Sequence, residues 1–395
     1  MMATKLVGLL LFTAACSASC LPDGVQSSGA LYRICLPDGV WNGKLAVYAH
    51  GYVAFNERLK IPDDSLPDGT QLSTIITSLG FAYATSSYST NGLAIVPAQT
   101  DLKDLVGIFG SKVGKPSRVY MVGPSEGGAV TAFSVEKFPD VYNAGEAACG
   151  PIGDFRRQVN YIGDFRVIFD YFFPGVIPGE PTSIPEEVIA NWDSIYEPAV
   201  LAAVRADPTA TAQLLSVTGA PGGTQDEIES TVTGVLWYNV FGANDAVARL
   251  GGQPFDNKTR LYHGSDNDLR LNLKVRRATA DAAALAEIAR NYQTSGKLSN
   301  PLITIHTLGD PIIPYWHEPL YKVKVAAAGA GEQHINLPFN AYGHCNFTAD
   351  QVLLGFGLMV FKDAGTLLPA GAESVLPASQ RAAFADTARR LGILP

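Results

Sequence analysis

The chain reads as an α/β fold: a mostly parallel central sheet flanked by helices, interrupted by a largely helical insertion. Three observations predict this. Short β-rich runs alternate with helical patterns from Ala30 to Cys149, a rhythm that calls for parallel strands joined by crossover helices. From about residue 150 to residue 300 the rhythm gives way to aromatic- and Pro-rich segments with helical spacing. At Leu302–Thr307 (LITIHT) the strand pattern resumes.

In the first part, strands are expected at Ala30–Leu36, Lys44–Ala49, Phe81–Ser87, Arg118–Val122 and Ala144–Cys149. Helices are expected at Thr70–Leu79, Thr100–Val113 and Gly127–Phe138. In the insertion, helical stretches are expected at Glu186–Trp192, Pro198–Val204, Gln225–Val240 and Ala278–Ala289. After it come Leu302–Thr307 as a strand, Ile335–Leu337 as a weaker one, and Thr348–Phe361 as a helix packing back on the sheet. The tetrapeptide LPDG recurs at Leu21, Leu36 and Leu66. Pro presets φ, Asp bonds its own backbone and Gly tolerates positive φ, so these are three turns and not a repeat architecture.

With 395 residues, 47% of them apolar and 17% charged, the chain is long enough for one elaborated core and is globular. The net charge is −8 and no basic run occurs, which argues against a nucleic-acid partner. Lys5, the apolar stretch Leu6–Ala15 and the small residues Ala15, Ser17, Ala18 and Ser19 read as an export signal over residues 1–19. A lipoprotein anchor through Cys16 or Cys20 is the alternative, but Thr13 and Ser17 stand where such a site usually has Leu. No later apolar run reaches the roughly 18 residues of a membrane span. The domain reading is therefore a signal peptide (1–19), a first core part (20–149), a helical lid or cap (150–300) and a second core part (301–395), in a secreted protein.

Of five cysteines, Cys16, Cys20, Cys35, Cys149 and Cys345, four remain if cleavage removes the first. None has C-x-x-C spacing, which argues against a zinc or redox site. Four cysteines allow three pairings. Cys20–Cys35, which closes a short N-terminal loop, is favoured, with free buried thiols as the alternative.

The chemistry is signalled by Gly123-Pro124-Ser125-Glu126-Gly127, a G-x-S-x-G pentapeptide that follows a strand and opens a helix. The glycines permit a tight turn that lifts the serine hydroxyl above the sheet edge, and the helix N-terminus aims N–H groups at a developing anion. A nucleophilic serine needs a base, and the base needs an orienting carboxylate. His344, in Tyr342-Gly343-His344-Cys345, and Asp310, in Leu308-Gly309-Asp310-Pro311, both follow strands and complete the order Ser, Asp, His. Asp154 competes for the acid role, and Asp310 has the alternative of capping a helix near Pro314. His50-Gly51-Tyr52 closes an early strand, so the N–H groups of Glu126 and Tyr52 are the expected oxyanion donors, with His50 itself a buttress. His306 reads as a core residue of its strand. His263, His317 and His334 lack metal spacing, and neither H-E-x-x-H nor G-x-G-x-x-G occurs, so no metal and no cofactor is expected.

On these residues (His50-Gly51, the Gly123–Gly127 elbow, Asp310 and His344) the chain resembles the α/β-hydrolase superfamily, in the manner of a secreted serine esterase or lipase, over roughly residues 30 to 365. The resemblance implies an eight-stranded, mostly parallel sheet with a lid inserted after the strand that follows the elbow. Cys345 beside His344 further resembles tannase-type feruloyl esterases, in which a cysteine beside the serine is bridged to one beside the histidine. Here Pro124 stands before Ser125, and Cys149 is the residue able to do the same mechanical job, which favours a Cys149–Cys345 bridge.

The expected activity is hydrolysis of a carboxylic ester through an acyl-enzyme, on a small-molecule or polymeric ester with a medium-sized, partly apolar or aromatic group. Expected pocket walls are Tyr52, Tyr315, Trp316 and Phe347, and from the lid Tyr171, Phe172, Phe173, Trp237, Tyr238 and Phe241. The alternatives are a serine peptidase or aminopeptidase, with Glu126 or Glu186–Glu187 anchoring an amine, and a non-catalytic binding protein. Sequons at Asn257 and Asn346 matter only if the host glycosylates.

Overall fold

In the computed structural model, which describes residues 19–395, the period-2 alternation of the strands divides their side chains between two cores. The expected export signal and Cys16 lie outside the described residues, apart from Ser19.

In chain order the first half comprises β1 (Ser19–Cys20), β2 (Gly24–Val25), β3 (Leu31–Leu36), β4 (Lys44–Tyr48), α1 (Leu72–Ser78), β5 (Ala82–Ser86), α2 (Ile95–Lys112), β6 (Arg118–Pro124), α3 (Glu126–Lys137) and β7 (Ala144–Ala148). Then follow the cap helices α4 (Phe155–Phe172), α5 (Glu186–Ala190), α6 (Glu197–Ala206), α7 (Pro208–Thr218), α8 (Gln225–Leu250), α9 (Asp268–Lys274) and α10 (Ala282–Asn291). The chain returns through β8 (Leu302–Gly309), α11 (His317–Ala327), β9 (His334–Tyr342), α12 (Ala349–Ala364) and α13 (Ala378–Arg390).

The sheet has nine strands in the order β1-β3-β5-β4-β6-β7-β8-β9, with β2 also on β3. The pairs from β5 through β9 are parallel; β1, β2 and β5 run antiparallel to β3. On β6, Val119 and Met121 join the core under α2 and α3, while Tyr120 and Val122 join the one under α1, α12 and α13. Each such side chain, fully buried, contributes about 1.5–3 kcal/mol. The resemblance implies eight strands; the described residues form nine, seven of five or more residues and two two-residue strands of the N-terminal segment paired with β3.

Several elements differ from expectation. Helix α2 begins at Ile95, five residues early, because Pro97 falls in its first turn, where its missing N–H costs nothing. Strand β9 runs to nine residues through Pro338, which an edge strand tolerates. Helix α4 was not anticipated: Gly163 interrupts its pattern, yet a Cβ there would meet the Phe255 ring at 2.6 Å, so the glycine is a packing notch and not a break. Helices α7, α9 and α13 were likewise missed, while the helix expected near Pro314 is α11, beginning at His317.

The cap has its own core, in which Trp192, Phe165, Phe169 and Leu236 are buried. It is pinned to the sheet by Tyr52, whose hydroxyl donates to the Phe241 carbonyl, and by Asp245, which accepts from the Leu93 N–H. Arg249 of α8 adds bonds to Thr90 and to the Asn91 carbonyl. Among the described residues no helix is long and apolar enough to cross a membrane.

Candidate active site

The register places the carboxyl ends of β4, β6, β7 and β8 at one rim, where Ser125 N–H donates to the Ala148 carbonyl and Cys149 N–H to that of Ile305. Ser125 is the single residue between β6 and α3 and has φ 58° and ψ −125°, a left-handed conformation that non-glycine residues rarely adopt. Its neighbours make the turn possible. A Cβ on Gly123 would stand 2.7 Å from the Ala49 carbonyl oxygen, one on Gly127 2.7 Å from that of His50, and one on Gly128 2.6 Å from that of Ala148. Only glycines let α3 approach the β4 and β7 loops this closely.

Into this elbow reach two residues from distant loops. His344 Nε2 lies 2.8 Å from Ser125 Oγ, and its Nδ1 lies 2.7 Å from Asp310 Oδ2. The other Asp310 oxygen accepts the N–H groups of Ile312 and Ile313 at 2.8 and 2.9 Å. With Nδ1–H donating to the carboxylate, Nε2 is left as the acceptor for the serine hydroxyl. The elbow stands mid-sheet after β6, the cap enters after β7, and the acid and imidazole loops follow β8 and β9.

The fold is that of the α/β-hydrolases.

Burial alone would raise the Asp310 carboxyl; the adjoining His344 and His306 rings more than offset that and hold it down to about 2. Asp154 stands apart from this constellation: it caps α4 by accepting from Arg157 N–H and binds the Gln293 amide. His50 stacks on Tyr88 with ring centroids 3.8 Å apart, and burial depresses its pKa, so its imidazole buttresses the loop. That loop lies against the elbow: a Cβ on Gly51 would be 3.3 Å from Ser125 Cβ. Glu126 is the first residue of α3, so its N–H has no partner within the helix. Its carboxyl turns away to the start of α2, accepting from Ala94 N–H at 2.8 Å, and burial raises its pKa to about 8.

Beside Ser125 opens a cavity of about 140 Å³ between sheet and cap. Its wall includes Tyr52 and Tyr238 as expected, together with Ile95, Phe155, Phe255 and Ile313, which sequence reasoning missed. Tyr238 of α8 brings its hydroxyl to the Ser125 side chain and presents its ring edge-on to His344. The other expected walls need correction. Tyr315 bonds Asn336 through its hydroxyl, and Trp316 is sandwiched between His317 and the Arg157 guanidinium. Phe347 is buried against Phe339 on the opposite side of the sheet. Tyr171, Phe172, Phe173, Trp237 and Phe241 pack within the cap. Helical spacing marked them as buried without saying against what. Of the possible amine anchors, Glu186 and Glu187 are exposed on α5, and Glu187 accepts from the Tyr196 hydroxyl.

Two disulfides are present, Cys20–Cys35 and Cys149–Cys345. The second ties the end of β7 to the residue after His344, and both its cysteines have positive φ, 46° and 50°. Cys149, His344 and Cys345 bring ligand-type atoms within 4.8 Å of one another, but the sulfurs are spent in the bridge and Nε2 faces Ser125. Within its sequon Asn257 itself is fully buried, its amide bonded to Tyr262 and the Arg276 carbonyl, so the folded protein offers no acceptor there; Asn346 is exposed.

No family model and no curated protein matches the chain. Similar solved structures include an acylaminoacyl peptidase of Pyrococcus horikoshii, at 11% identity over 83% of this chain and 38% of that one, with a TM-score of 0.41. An esterase of Pyrococcus furiosus is 11% identical over 98% of this chain and 95% of its own, with a TM-score of 0.42. Feruloyl esterase B of Aspergillus oryzae is 14% identical over 82% and 72%, with a TM-score of 0.44. This chain thus spans well under half of the peptidase's length. Likenesses this distant decide neither substrate nor reaction.

Proposed function

We propose that the protein is a serine hydrolase that cleaves carboxylic esters through an acyl-enzyme. One observation carries the reading: the hydrogen-bonded chain Asp310–His344–Ser125, at 2.7 and 2.8 Å, ending on a serine held at φ 58°. Ser125 Oγ attacks the acyl carbon as His344 Nε2 takes its proton. Asp310 holds the ring and stabilises its cation. The N–H groups of Glu126 and Tyr52 receive the tetrahedral oxyanion, each donor contributing about 3 kcal/mol to the transition state. His344 then protonates the leaving alcohol, and water repeats the sequence to release the acid.

The cavity supports an ester with a compact, uncharged group. A cavity of roughly 150 Å³ holds a benzene-sized ligand, so about 140 Å³ suits one aromatic ring or a short branched chain. An aminopeptidase needs an ionised carboxylate for the substrate amine. Glu126 is bonded at the start of α2 and burial opposes its ionisation, while Glu186 and Glu187 face solvent, which favours the ester reading. The disulfides and the N-terminal pattern support export to an oxidising compartment.

The test is a panel of p-nitrophenyl esters (acetate, butyrate, benzoate, decanoate) against aminoacyl p-nitroanilides. Highest kcat/KM is expected for butyrate or benzoate, with decanoate and the anilides slower. Anilides turned over faster than every ester would replace the esterase reading with the peptidase one.

A further inference from the structure

Behind Asp310, on the side away from Ser125, β8 buries a second imidazole. His306 is fully buried, and its Nε2 lies 3.6 Å from Asp310 Oδ2, the same oxygen that faces His344. Nε2 also lies 2.7 Å from the Ile313 carbonyl oxygen, and Nδ1 lies 3.0 Å from Glu318 Oε1. Glu318, on α11, is itself buried; its other oxygen accepts from the Thr304 hydroxyl at 2.6 Å and the Asn336 amide at 2.9 Å.

Proton counting on these contacts is restrictive. A carbonyl oxygen only accepts, so Nε2 carries a hydrogen. Nδ1 faces Oε1 of Glu318, whose other oxygen receives two donors; those donors stabilise the carboxylate form and so favour the shared hydrogen on Nδ1. A doubly protonated ring between two carboxylates is also what electrostatics favours in a buried site.

We propose that His306 is an imidazolium, charged through neutral pH, behind the acid of the triad, and that it keeps His344 a free base at lower pH than Asp310 alone would allow. The inference rests on the triad reading above and adds to it a positioning residue that touches no reacting atom. Oδ2 of Asp310 is shared by two rings. A cation already present on one side opposes formation of a second cation on the other, while Glu318 supplies the counter-charge that lets the first persist. With His344 neutral, Asp310, His306 and Glu318 carry one net negative charge. When His344 takes the serine proton the cluster becomes neutral, so charge is balanced at the moment the reaction needs it.

Burial works against the His306 cation, but the bonds to Asp310 and Glu318 carry its pKa up to about 10. Other groups around the ring leave that balance intact. Tyr315 stands edge-on at 5.7 Å with its hydroxyl on Asn336. His317 is kept neutral, accepting from Gly153 N–H through Nδ1 and bonded to Gln158 through Nε2. His334 reaches the cluster only through Thr304. Arg157 and Lys324, which act on His317, are held over the Trp316 ring and on Thr294 respectively.

Two measurements test this. In protein labelled with ¹⁵N-histidine, the His306 ring, assigned by its loss in His306→Gln, should show both nitrogens protonated at pH 7 and at pH 8.5. His306→Gln removes the cation that lies beside Asp310 Oδ2. The acidic limb of kcat/KM on a p-nitrophenyl ester should then move up by about 0.5–1 pH unit. A residue that served packing alone would lower the plateau and leave the limb in place. A neutral His306 ring at pH 7, or an unmoved limb in folded His306→Gln, overturns the inference. If the variant does not fold, the wild-type ring spectrum, assigned instead through Glu318→Gln, decides. Failure of the triad reading shows separately: wild-type protein that a fluorophosphonate does not label at Ser125 removes the role whatever the charge of His306.

Discussion

A Cβ on Gly127, at the rim of the sheet, would lie 2.7 Å from the His50 carbonyl oxygen, whereas one on Gly242, in cap helix α8, would meet nothing within 4 Å. Gly242 lines the cavity beside Ser125, and Gly127 follows Glu126 of its wall, yet only Gly127 is compelled by its surroundings. At the rim, backbone packs on backbone and a serine is held in a conformation it would not choose. In the cap, side chains pack on side chains, and many arrangements of similar volume would serve. The proposed chemistry thus rests on main-chain geometry and the proposed selectivity on replaceable side-chain packing.

The largest effect should come from the rim. Ser125→Ala or His344→Ala should lower kcat/KM on the preferred ester by at least about 10⁴-fold, with thermal stability nearly unchanged. A drop of tenfold or less would mean that these side chains do not act as a unit.

Next, the disulfides should differ by region. Removing Cys149–Cys345 opens a separation of 196 residues and should destabilise by about 4–5 kcal/mol; removing Cys20–Cys35, a separation of 15, should cost about 3 kcal/mol. Only the former should also depress kcat, since Cys345 adjoins His344. Urea titration and ester turnover of the two double-Ala variants check both points. Gly127→Ala should cost about 3 kcal/mol or more, as overpacking against rigid backbone cannot relax.

Two buried groups give stability a pH dependence with a definite sign. His306, raised to about 10 from 6.5, contributes stability that is complete below pH 6.5 and lost as pH rises to 10. Glu126, raised to about 8 from 4.5, favours the folded state only in its protonated form, so its cost grows between pH 4.5 and 8. Both lower the thermal midpoint from pH 6 to pH 9, and Glu126→Gln should flatten the part below pH 8. A midpoint that rises over that range would contradict both.

The smallest effect belongs to the cap. Gly242→Ala should stabilise by about 0.5–1 kcal/mol, because Gly is the poorer residue in a helix interior. It should also shift preference a few-fold from benzoate toward acetate by placing a methyl group at the cavity wall. Loss of all turnover would show that the cap is as constrained as the rim.

The same contrast explains what the sequence revealed. Ser125, His344, Asp310 and the Gly51 loop were legible because main-chain demands leave glycines, a pentapeptide and loop positions that local reading can see. Strands β3 to β8 were legible by alternation or β-rich runs. The Cys149–Cys345 bridge was reached through resemblance, not through spacing. Phe347 was misplaced because adjacency to His344 in sequence says nothing about which face of the sheet a side chain takes. Tyr315 and Trp316 were misplaced because their partners, Asn336 and Arg157, come from elements remote in the chain. Phe155 and Ile95 were overlooked because the helices presenting them were unseen or begun too late. His306 looked like a core residue, and its partner Glu318, twelve positions on, became meaningful only once α11 had been laid beside β8.

The most direct measurement is capture of the acyl-enzyme. The protein is mixed with p-nitrophenyl benzoate, quenched in acid within one turnover, and digested for peptide mass analysis. The account predicts a benzoyl adduct on the peptide bearing Ser125, absent in Ser125→Ala. Full ester turnover with no adduct at Ser125, or with the adduct on another residue, would contradict it.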